Sequence, residues 1–593
     1  MKTAHAMWRL ICYRPLLYTA VTFLYICNIL QPLLMGVLFQ QYFNELAQSQ
    51  RLTSELWQLN WLALALILGR GLCSFIGTLL SNISRFSITQ LMRRNLLQSV
   101  LERPGASAFP HTIGEALNRF RSDVEQLDRA VDLCIDSLGK TLFALFALII
   151  LLKVSVMVTL LIFLPLAGVV ATTQAMYARL QRYRQASRQA SGKVSSALGE
   201  IFGTVQAIQL ARAEQAVLGH FRTLNERRRA AMLKDHLVEQ IVNSTTGNIV
   251  NLGTGFVLMM IAQSSGTFQL GPGNLALFLF YLPFVADFTQ FTGTFMAHMV
   301  QTRISHQRLL AFPQETTGEK LVEHHPLYLS GSLPELGVIE ARSADALWEL
   351  NAVNLTYHYP ESGRGIDGIN LCVRRGSITV ITGRVASGKT TFLRVLLGLL
   401  PCEAGEISWN GQKVHDPASF FVPPRSAYTA QTPRLFSATL QENILLGQPE
   451  TREKLQAVVH VAVMEQDVEM LEHGLETTVG VRGVKLSGGQ VQRAAAARMF
   501  ARPAELLVFD DLSSALDVTT EQQLWERLLA RQSEEYRPTC LLVSHRHPIL
   551  KRADHILVLH EGRIEASGTA SELLLTSPEF RAIWSSERED TSV

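Results

Sequence analysis

Gly383-Arg-Val-Ala-Ser-Gly-Lys-Thr390 decides how this chain is read. Before it, Ser377-Ile-Thr-Val-Ile-Thr382 is a short β-branched run, which predicts a buried strand. After it, Thr391-Phe-Leu-Arg-Val-Leu-Leu-Gly-Leu-Leu400 has helical spacing. A glycine loop between strand and helix aims successive backbone N–H groups, and the positive end of the helix dipole, into one small space. That space suits a nucleotide's phosphates. Lys389 adds a point charge for the β- and γ-phosphates, and Thr390 a hydroxyl ligand for Mg²⁺. Alone, such a loop is also compatible with an ordinary glycine turn beside a solvated lysine, so its surroundings have to decide.

Outward toward the C-terminus, strand and helix patterns interleave, as in a sheet covered by helices on both faces. Leu355-Thr-Tyr-His-Tyr-Pro360 puts Tyr359 at a strand end, where it can stack on adenine or pack an edge. Ala430-Gln-Thr-Pro433 places the Gln431 amide in reach of Mg²⁺ or water. Lys485-Leu-Ser-Gly-Gly-Gln490 enters a helical run, a second helix start suited to phosphate oxygens. Leu506-Leu-Val-Phe-Asp-Asp511 is a buried strand presenting Asp510 to a metal ion and Asp511 to a water. Leu541-Leu-Val-Ser-His545 is another strand, ending in a histidine able to bond the γ-phosphate.

Upstream the chain changes character. Its 593 residues allow two or more domains, and the hydrophobic fraction of 48% is concentrated in the first half. A bilayer-spanning helix needs about 20 mostly apolar residues. Leu16 to Gln40 and Leu59 to Ile83 qualify, followed by a double run from Val131 to Ala175 broken near Lys153-Val-Ser155. Asn243 to Ala262 and Leu275 to Val300 complete a predicted set of six spans. Basic residues crowd the segments after spans two and four, among them Arg85, Arg93, Arg94, Arg121, Arg182, Arg188 and Arg227. The other loops hold little beyond Arg51 and Lys153, so both termini and the two basic segments are expected in the cytoplasm. Those segments predict membrane helices that extend into the cytoplasm and turn back near Gly114–Asp123 and Gly203–Arg212. Ionisable groups in the spans are costly and therefore candidates for function. Asp136 and Lys140, four apart, can satisfy each other, and Arg70 can pair with Asp287 or line a cavity.

A net charge of +3 implies no polyelectrolyte partner and no nucleic acid. The seven cysteines are scattered without a CxxC pair, which argues against a metal centre or disulfide framework. The first apolar run is too long for a removable signal peptide. Residues 313–346, rich in Pro, Gly, Ser and Glu, read as a linker. The expected fold class is thus six long transmembrane α-helices followed by an α/β ATPase domain, with boundaries at 1–310, 311–346 and 347–593.

Taken together, Tyr359, Gly383–Thr390, Gln431, Leu486–Gln490, Asp510–Asp511, Ser513-Ser-Ala-Leu-Asp517 and His545 resemble the A-loop, Walker A, Q-loop, signature, Walker B, D-loop and H-loop of an ATP-binding cassette. With six spans ahead of it, the chain resembles an ABC exporter half-transporter, similar in layout to bacterial lipid flippases and multidrug or peptide exporters. The resemblance implies that ATP contacts Tyr359, Gly383, Arg384, Val385, Ala386, Ser387, Gly388, Lys389, Thr390 and Thr391. It implies that Ser487, Gly488, Gly489 and Gln490 reach the ATP of a second half-transporter, so that two chains must pair. Mg²⁺ is assigned to Thr390, Gln431 and Asp510, and catalysis to Asp511, His545 and Gln431. Gly114–Asp123 and Val205–Glu214 resemble the family's coupling regions. Localisation in a bacterial inner membrane and an amphipathic lipid, small-molecule or peptide cargo are implied likewise. An importer of similar architecture and a membrane ATPase that moves no solute are the rivals; a peptidase-containing exporter is disfavoured by the short segment before span one. Two departures stand out. Ala386 replaces a customary glycine, with little effect expected if its φ is negative. Asp511 replaces the customary glutamate, which implies slow turnover in a homodimer or the weak site of a heterodimer.

Overall fold

The computed structural model describes residues 2–49, 53–102, 113–263, 271–312, 318–328, 346–449, 451–480, 483–530 and 537–590. The chain divides into two compact units, one comprising Met1–Ser99 and His111–Leu327, the other chiefly Tyr328–Val593.

The first unit is helical. A short amphipathic helix, α1 (Thr3–Ile11), buries Ala6, Met7 and Leu10. Six long helices follow: α2 (Pro15–Ser49), α3 (Ser54–Leu101), α5 (Val124–Val154), α6 (Val156–Gly203), α8 (Glu214–Gln263) and α9 (Pro272–Leu310). Two short ones, α4 (Ile113–Asn118) and α7 (Val205–Leu210), fall in the two basic segments. Among the described residues, α2, α3, the run Gly114–Val154 and α9 are each long and apolar enough to cross a bilayer. The break expected near Lys153–Ser155 is a single residue. Ser155 adopts extended backbone (φ −161°, ψ 112°) and its side chain caps α6 by accepting from the Val158 amide.

Helices α2, α5 and α9 pack around Leu33, Phe143, Ala147, Leu151, Leu277 and Tyr281. The buried Tyr281 hydroxyl donates to the Leu33 carbonyl at 2.6 Å, which supplies its polar end with a partner. By contrast the apolar face of α3 carries Trp61, Leu68, Leu72 and Phe75 exposed, a surface that only lipid or protein can cover.

Several sequence expectations shift here. Lys140 pairs with Asp287 at 2.7 Å and lies 4.4 Å from the Phe291 ring, rather than pairing with Asp136. Asp287 thus pairs with Lys140 and not with Arg70, which is exposed on α3. Helix rotation decides such partners, and sequence spacing does not carry it. Gly114–Asp123 is not a reverse turn: α4 continues through one π turn, Arg119–Asp123, straight into α5. The second site does reverse, at Thr204 and at Arg212, where φ is +50°. Of the expected linker, residues 313–317 and 329–345 lie outside the described residues, as does most of the loop after α8. The described part, 318–327, packs on the helical unit. Leu321 and Val322 are buried, and Asn95 Nδ2 donates to the Leu321 and Glu323 carbonyls at 3.1 and 2.8 Å.

The second unit is built on two sheets. Strands β1 (Glu349–His358), β2 (Gly365–Arg374), β4 (Ala404–Trp409) and β5 (Gln412–Lys413) form an antiparallel sheet in the order β2-β1-β4-β5. The main sheet takes β3 (Ile378–Gly383), β6 (Ser426–Thr429), β9 (Leu506–Asp510), β10 (Thr539–Val543), β11 (His555–His560) and β12 (Arg563–Gly568), in the order β12-β11-β3-β10-β9-β6. A small ribbon joins β7 (Ala438–Thr439) to β8 (Thr478–Val479). β3, β9 and β10 are buried at every position, as parallel strands covered on both faces must be. Five of the six main-sheet strands run parallel; only β12 is antiparallel.

Candidate nucleotide site

The parallel register sets the site. Val543 lies beside both Ile381 and Asp510, and Thr429 beside Phe509. The segments leaving β3, β10, β9 and β6 therefore emerge level with one another from one edge of the sheet. They carry the glycine loop, His545, Asp510–Asp511 and Gln431. Ligands of open parallel sheets bind at such carboxyl ends.

In the glycine loop, Gly383 sits at φ +147°, and a Cβ there would meet the Leu559 carbonyl at 2.2 Å. Gly388 is left-handed (φ +101°) and starts the helix Lys389–Leu396 with no side-chain cap, so the first N–H groups of that helix keep their bonding capacity. The helix is held from behind by Phe392, Leu393, Val395 and Leu396, all buried. Lys389 Nζ donates to the Gly383 and Arg384 carbonyls, both at 2.7 Å, and approaches Ser387 Oγ at 3.4 Å. Burial lowers the Lys389 pKa, against the opposing pull of Asp511 and Asp510. An ammonium held among carbonyls is poised to exchange them for phosphate oxygens. Val385 and Ala386 form the exposed tip, and Arg384 and Thr391 flank it.

Ala386 corrects an expectation. Its φ is +66°, not negative, so the position keeps the conformation a glycine would adopt freely and alanine holds at a cost of about 1–2 kcal/mol.

Asp510 is 1% exposed. Its Oδ1 accepts from Thr390 Oγ1 at 2.9 Å and its Oδ2 from the Tyr428 hydroxyl at 3.2 Å. Burial raises its pKa, and the two hydroxyl donors pull it back. A buried carboxylate beside a hydroxyl, opening on a phosphate cradle, is the oxygen-only donor set that Mg²⁺ takes together with substrate phosphates. The residues present fit that ion. Asp511 bends into the left-handed region (φ +55°, ψ +53°), and its Oδ2 accepts from Gln431 Nε2 at 3.3 Å. The Gln431 carbonyl in turn accepts from Gln492 Nε2 at 3.1 Å.

His545 is exposed just past β10, and the next residue fixes its surroundings. Arg546 donates to the Ser513 and Leu516 carbonyls at 3.2 and 3.3 Å, which ties the Ser513–Asp517 stretch to the histidine's segment. Asp517 caps the helix Val518–Leu529, and bonds from Thr519 and Thr520 hold its carboxyl well below the usual range.

Among the described residues, two groups make no hydrogen bond to the glycine loop. Tyr359 packs edge-on against Tyr357, ring centroids 5.1 Å apart, at the β1–β2 turn. Ser487–Gln490 start the helix Gly488–Phe500 with a capping box: the Ser487 side chain accepts from the Gln490 amide, and Gln490 Oε1 accepts from the Ser487 amide. Among the described residues no hydrogen bond links this turn to the glycine loop. Sequence reasoning missed Tyr428, whose ring position on β6 gave no motif signal. It also missed Arg546, which could have been suspected from its place beside His545.

A family model of the ABC transporter transmembrane region matches residues 18–286, and the ABC transporter cassette model matches residues 366–514. The chain belongs to the ABC transporters. In this ABC transporter one membrane domain and one ATPase cassette share a polypeptide, the arrangement of an exporter half-transporter, and ATP hydrolysis by the cassette drives transport. It is similar to an ATP-dependent lipid A-core flippase of Chromohalobacter salexigens, 28% identical over 523 residues, covering 87% of this chain and 86% of that protein. The flippase of the same description from Vibrio vulnificus is 25% identical over 94% of this chain and 91% of its own. A solved bacterial Atm1-family ABC exporter with ATP bound shares the fold, with a TM-score of 0.78 at 19% identity over 97% of this chain and 99% of that one.

Proposed function

We propose that this half-transporter works as a homodimer that exports or flips an amphipathic, lipid-like cargo. The observation that carries the reading is the split between the two phosphate-facing turns. Lys389, Thr390, Asp510, Asp511 and His545 converge at one sheet edge, while Ser487–Gln490 start another helix and, among the described residues, make no hydrogen bond to the glycine loop. A lone chain has two half-sites and no whole one. Pairing two chains face to face brings the Ser487 turn of each to the loop of the other.

In the paired state Lys389 and the loop amides bind the β- and γ-phosphates, and Tyr359 packs against the adenine. Thr390, Asp510 and Gln431 hold Mg²⁺, which neutralises charge developing on the phosphate oxygens. Asp511 positions and deprotonates the attacking water, oriented by Gln431, and His545 bonds the γ-phosphate. Because Asp511 is one methylene shorter than glutamate, turnover is slow. A heterodimer in which this chain supplies the weak site is the second reading, and the Asp511 departure is what favours it.

The membrane half, 1–310, contributes six spans, α6 and α8 completing the four already apolar enough by length and composition. The basic segments support a topology with both termini, the linker 311–346 and the cassette 347–593 on the cytoplasmic side of a bacterial inner membrane. The segments around α4 and α7 act as the coupling regions that the resemblance implies, carrying the closure of the cassettes into the membrane helices. The lipid A-core flippases among the relatives support a lipid cargo. ATPase assays on the purified chain alone test the pairing. A homodimer predicts slow wild-type turnover, faster Asp511→Glu and inactive Asp511→Asn. No turnover in any of the three, restored only by a second chain, would establish the heterodimer instead.

A further inference from the structure

The strained glycine loop needs an external support, and the C-terminal helix Pro578–Asp590 provides one. Phe580 and Ile583 seat this helix in the core of the cassette, at 0% and 9% exposure. From its first turn, Glu579 reaches Arg384, the second residue of the loop, with Arg384 Nε 2.6 Å from Glu579 Oε1. The Glu579 side chain is 11% exposed, and His560 Nδ1 lies 3.7 Å from the same oxygen. One turn further, the Trp584 ring packs on His547, centroids 4.2 Å apart, and the Trp584 carbonyl lies 2.9 Å from His547 Nε2. His547 begins the short helix two residues after His545. One helix therefore touches both the loop that cradles phosphate and the segment that carries the γ-phosphate histidine.

We infer that Glu579 is a positioning residue for ATP binding, holding the phosphate loop in its binding shape through Arg384. The reason lies in the loop's own chemistry. Backbone in a disfavoured region persists only where its surroundings over-determine it. Ala386, at φ +66°, is such a residue, two positions from Arg384. Arg384 is also the residue whose carbonyl accepts from Lys389 Nζ. Pinning the Arg384 side chain from outside fixes the carbonyl that stations the lysine and opposes relaxation of the tip. Val385, 96% exposed, offers no packing that could do so. The inference rests on ATP binding at this loop.

The test is equilibrium binding of a fluorescent ATP analogue, with steady-state ATPase alongside, on the full-length purified transporter. Glu579→Gln keeps the side chain's shape and removes its charge. It is expected to weaken nucleotide binding and raise KM about fivefold, the scale of one partly exposed ion pair, with kcat little changed. Arg384→Gln should weaken binding too, and adding Glu579→Gln to it should cost nothing further, since the shared contact is already gone. The decisive arm is Ala386→Gly. With the strain relieved, the loop needs less support, so Glu579→Gln in that background should weaken binding less than twofold. Unchanged affinity in Glu579→Gln, or an equal loss with and without Ala386→Gly, would overturn the inference. If Glu579→Gln does not fold, the Arg384→Gln comparison with and without Ala386→Gly decides by the same criterion. Failure of the wild type to bind nucleotide at all would instead sink the nucleotide site itself.

Discussion

Two glycine turns in this cassette open helices, and they do it in opposite ways. The helix Lys389–Leu396 starts at a left-handed glycine with no side-chain cap, while the helix Gly488–Phe500 starts at Ser487 with both halves of a capping box closed. The first leaves its terminal amides open to a ligand at the expense of backbone strain. The second satisfies its own end and is stable without one. Under the proposed homodimer the difference suits their roles: the first turn binds a chain's own ATP before pairing, whereas the second is engaged only when a partner presents ATP. A self-capped end keeps the waiting turn ordered, and phosphate can later displace a neutral, exposed hydrogen bond at small cost.

The comparison breaks most visibly at Lys389. Lys389→Ala removes the charge stationed for the phosphates, so both nucleotide binding and turnover should collapse, turnover by about 10²–10³-fold. Substrate movement in vesicles should stop with it. Transport at full rate in that variant would end the account of an ATP-driven pair. Next in size is Asp511→Asn, which keeps the shape but cannot take a proton. Turnover should be lost, falling by at least about 10²-fold, with nucleotide affinity preserved, and Asp511→Glu should raise it by about tenfold.

Ser487→Ala separates the two turns. Loss of the cap should destabilise its helix by about 1 kcal/mol. A single chain's affinity for ATP should not move, because among the described residues Ser487 makes no hydrogen bond to its own loop, while turnover should drop by about tenfold for one lost phosphate contact. Equal losses of affinity and turnover would mean that both turns serve the same chain's nucleotide.

How far the sequence reaches differs between the halves. In the cassette, apolar strands ending in polar residues foretold which groups share an edge, because parallel strands in register bring their carboxyl ends level. Asp510 with Thr390, and Asp511 with Gln431, follow from that rule. What stayed hidden depends on rotation and on distance along the chain. The Tyr428 bond to Asp510 turns on which way one ring points from β6. The Arg384–Glu579 pair joins opposite ends of the cassette. In the membrane half, apolar length announced the helices, but not that Lys140 turns toward Asp287, nor that Gly114–Asp123 runs on as helix. Hydropathy reports that a helix is apolar, and says nothing of which face meets which neighbour.

The smallest expected effect is also the one whose sign has to be argued. Ala386→Gly relieves a left-handed alanine, worth about 1–2 kcal/mol to the folded cassette. Glycine also widens the unfolded ensemble, which costs about 0.4–1 kcal/mol. Relief wins by about 0.5–1 kcal/mol, so the melting temperature of the purified transporter should rise by roughly 1–3 °C. A glycine further lets the tip follow the phosphates, so nucleotide affinity should hold or improve while the capped turn at Ser487 is untouched. A fall in melting temperature would mean that the loop's positive φ at Ala386 costs less than the chain entropy it saves, and that strain does not distinguish the two turns.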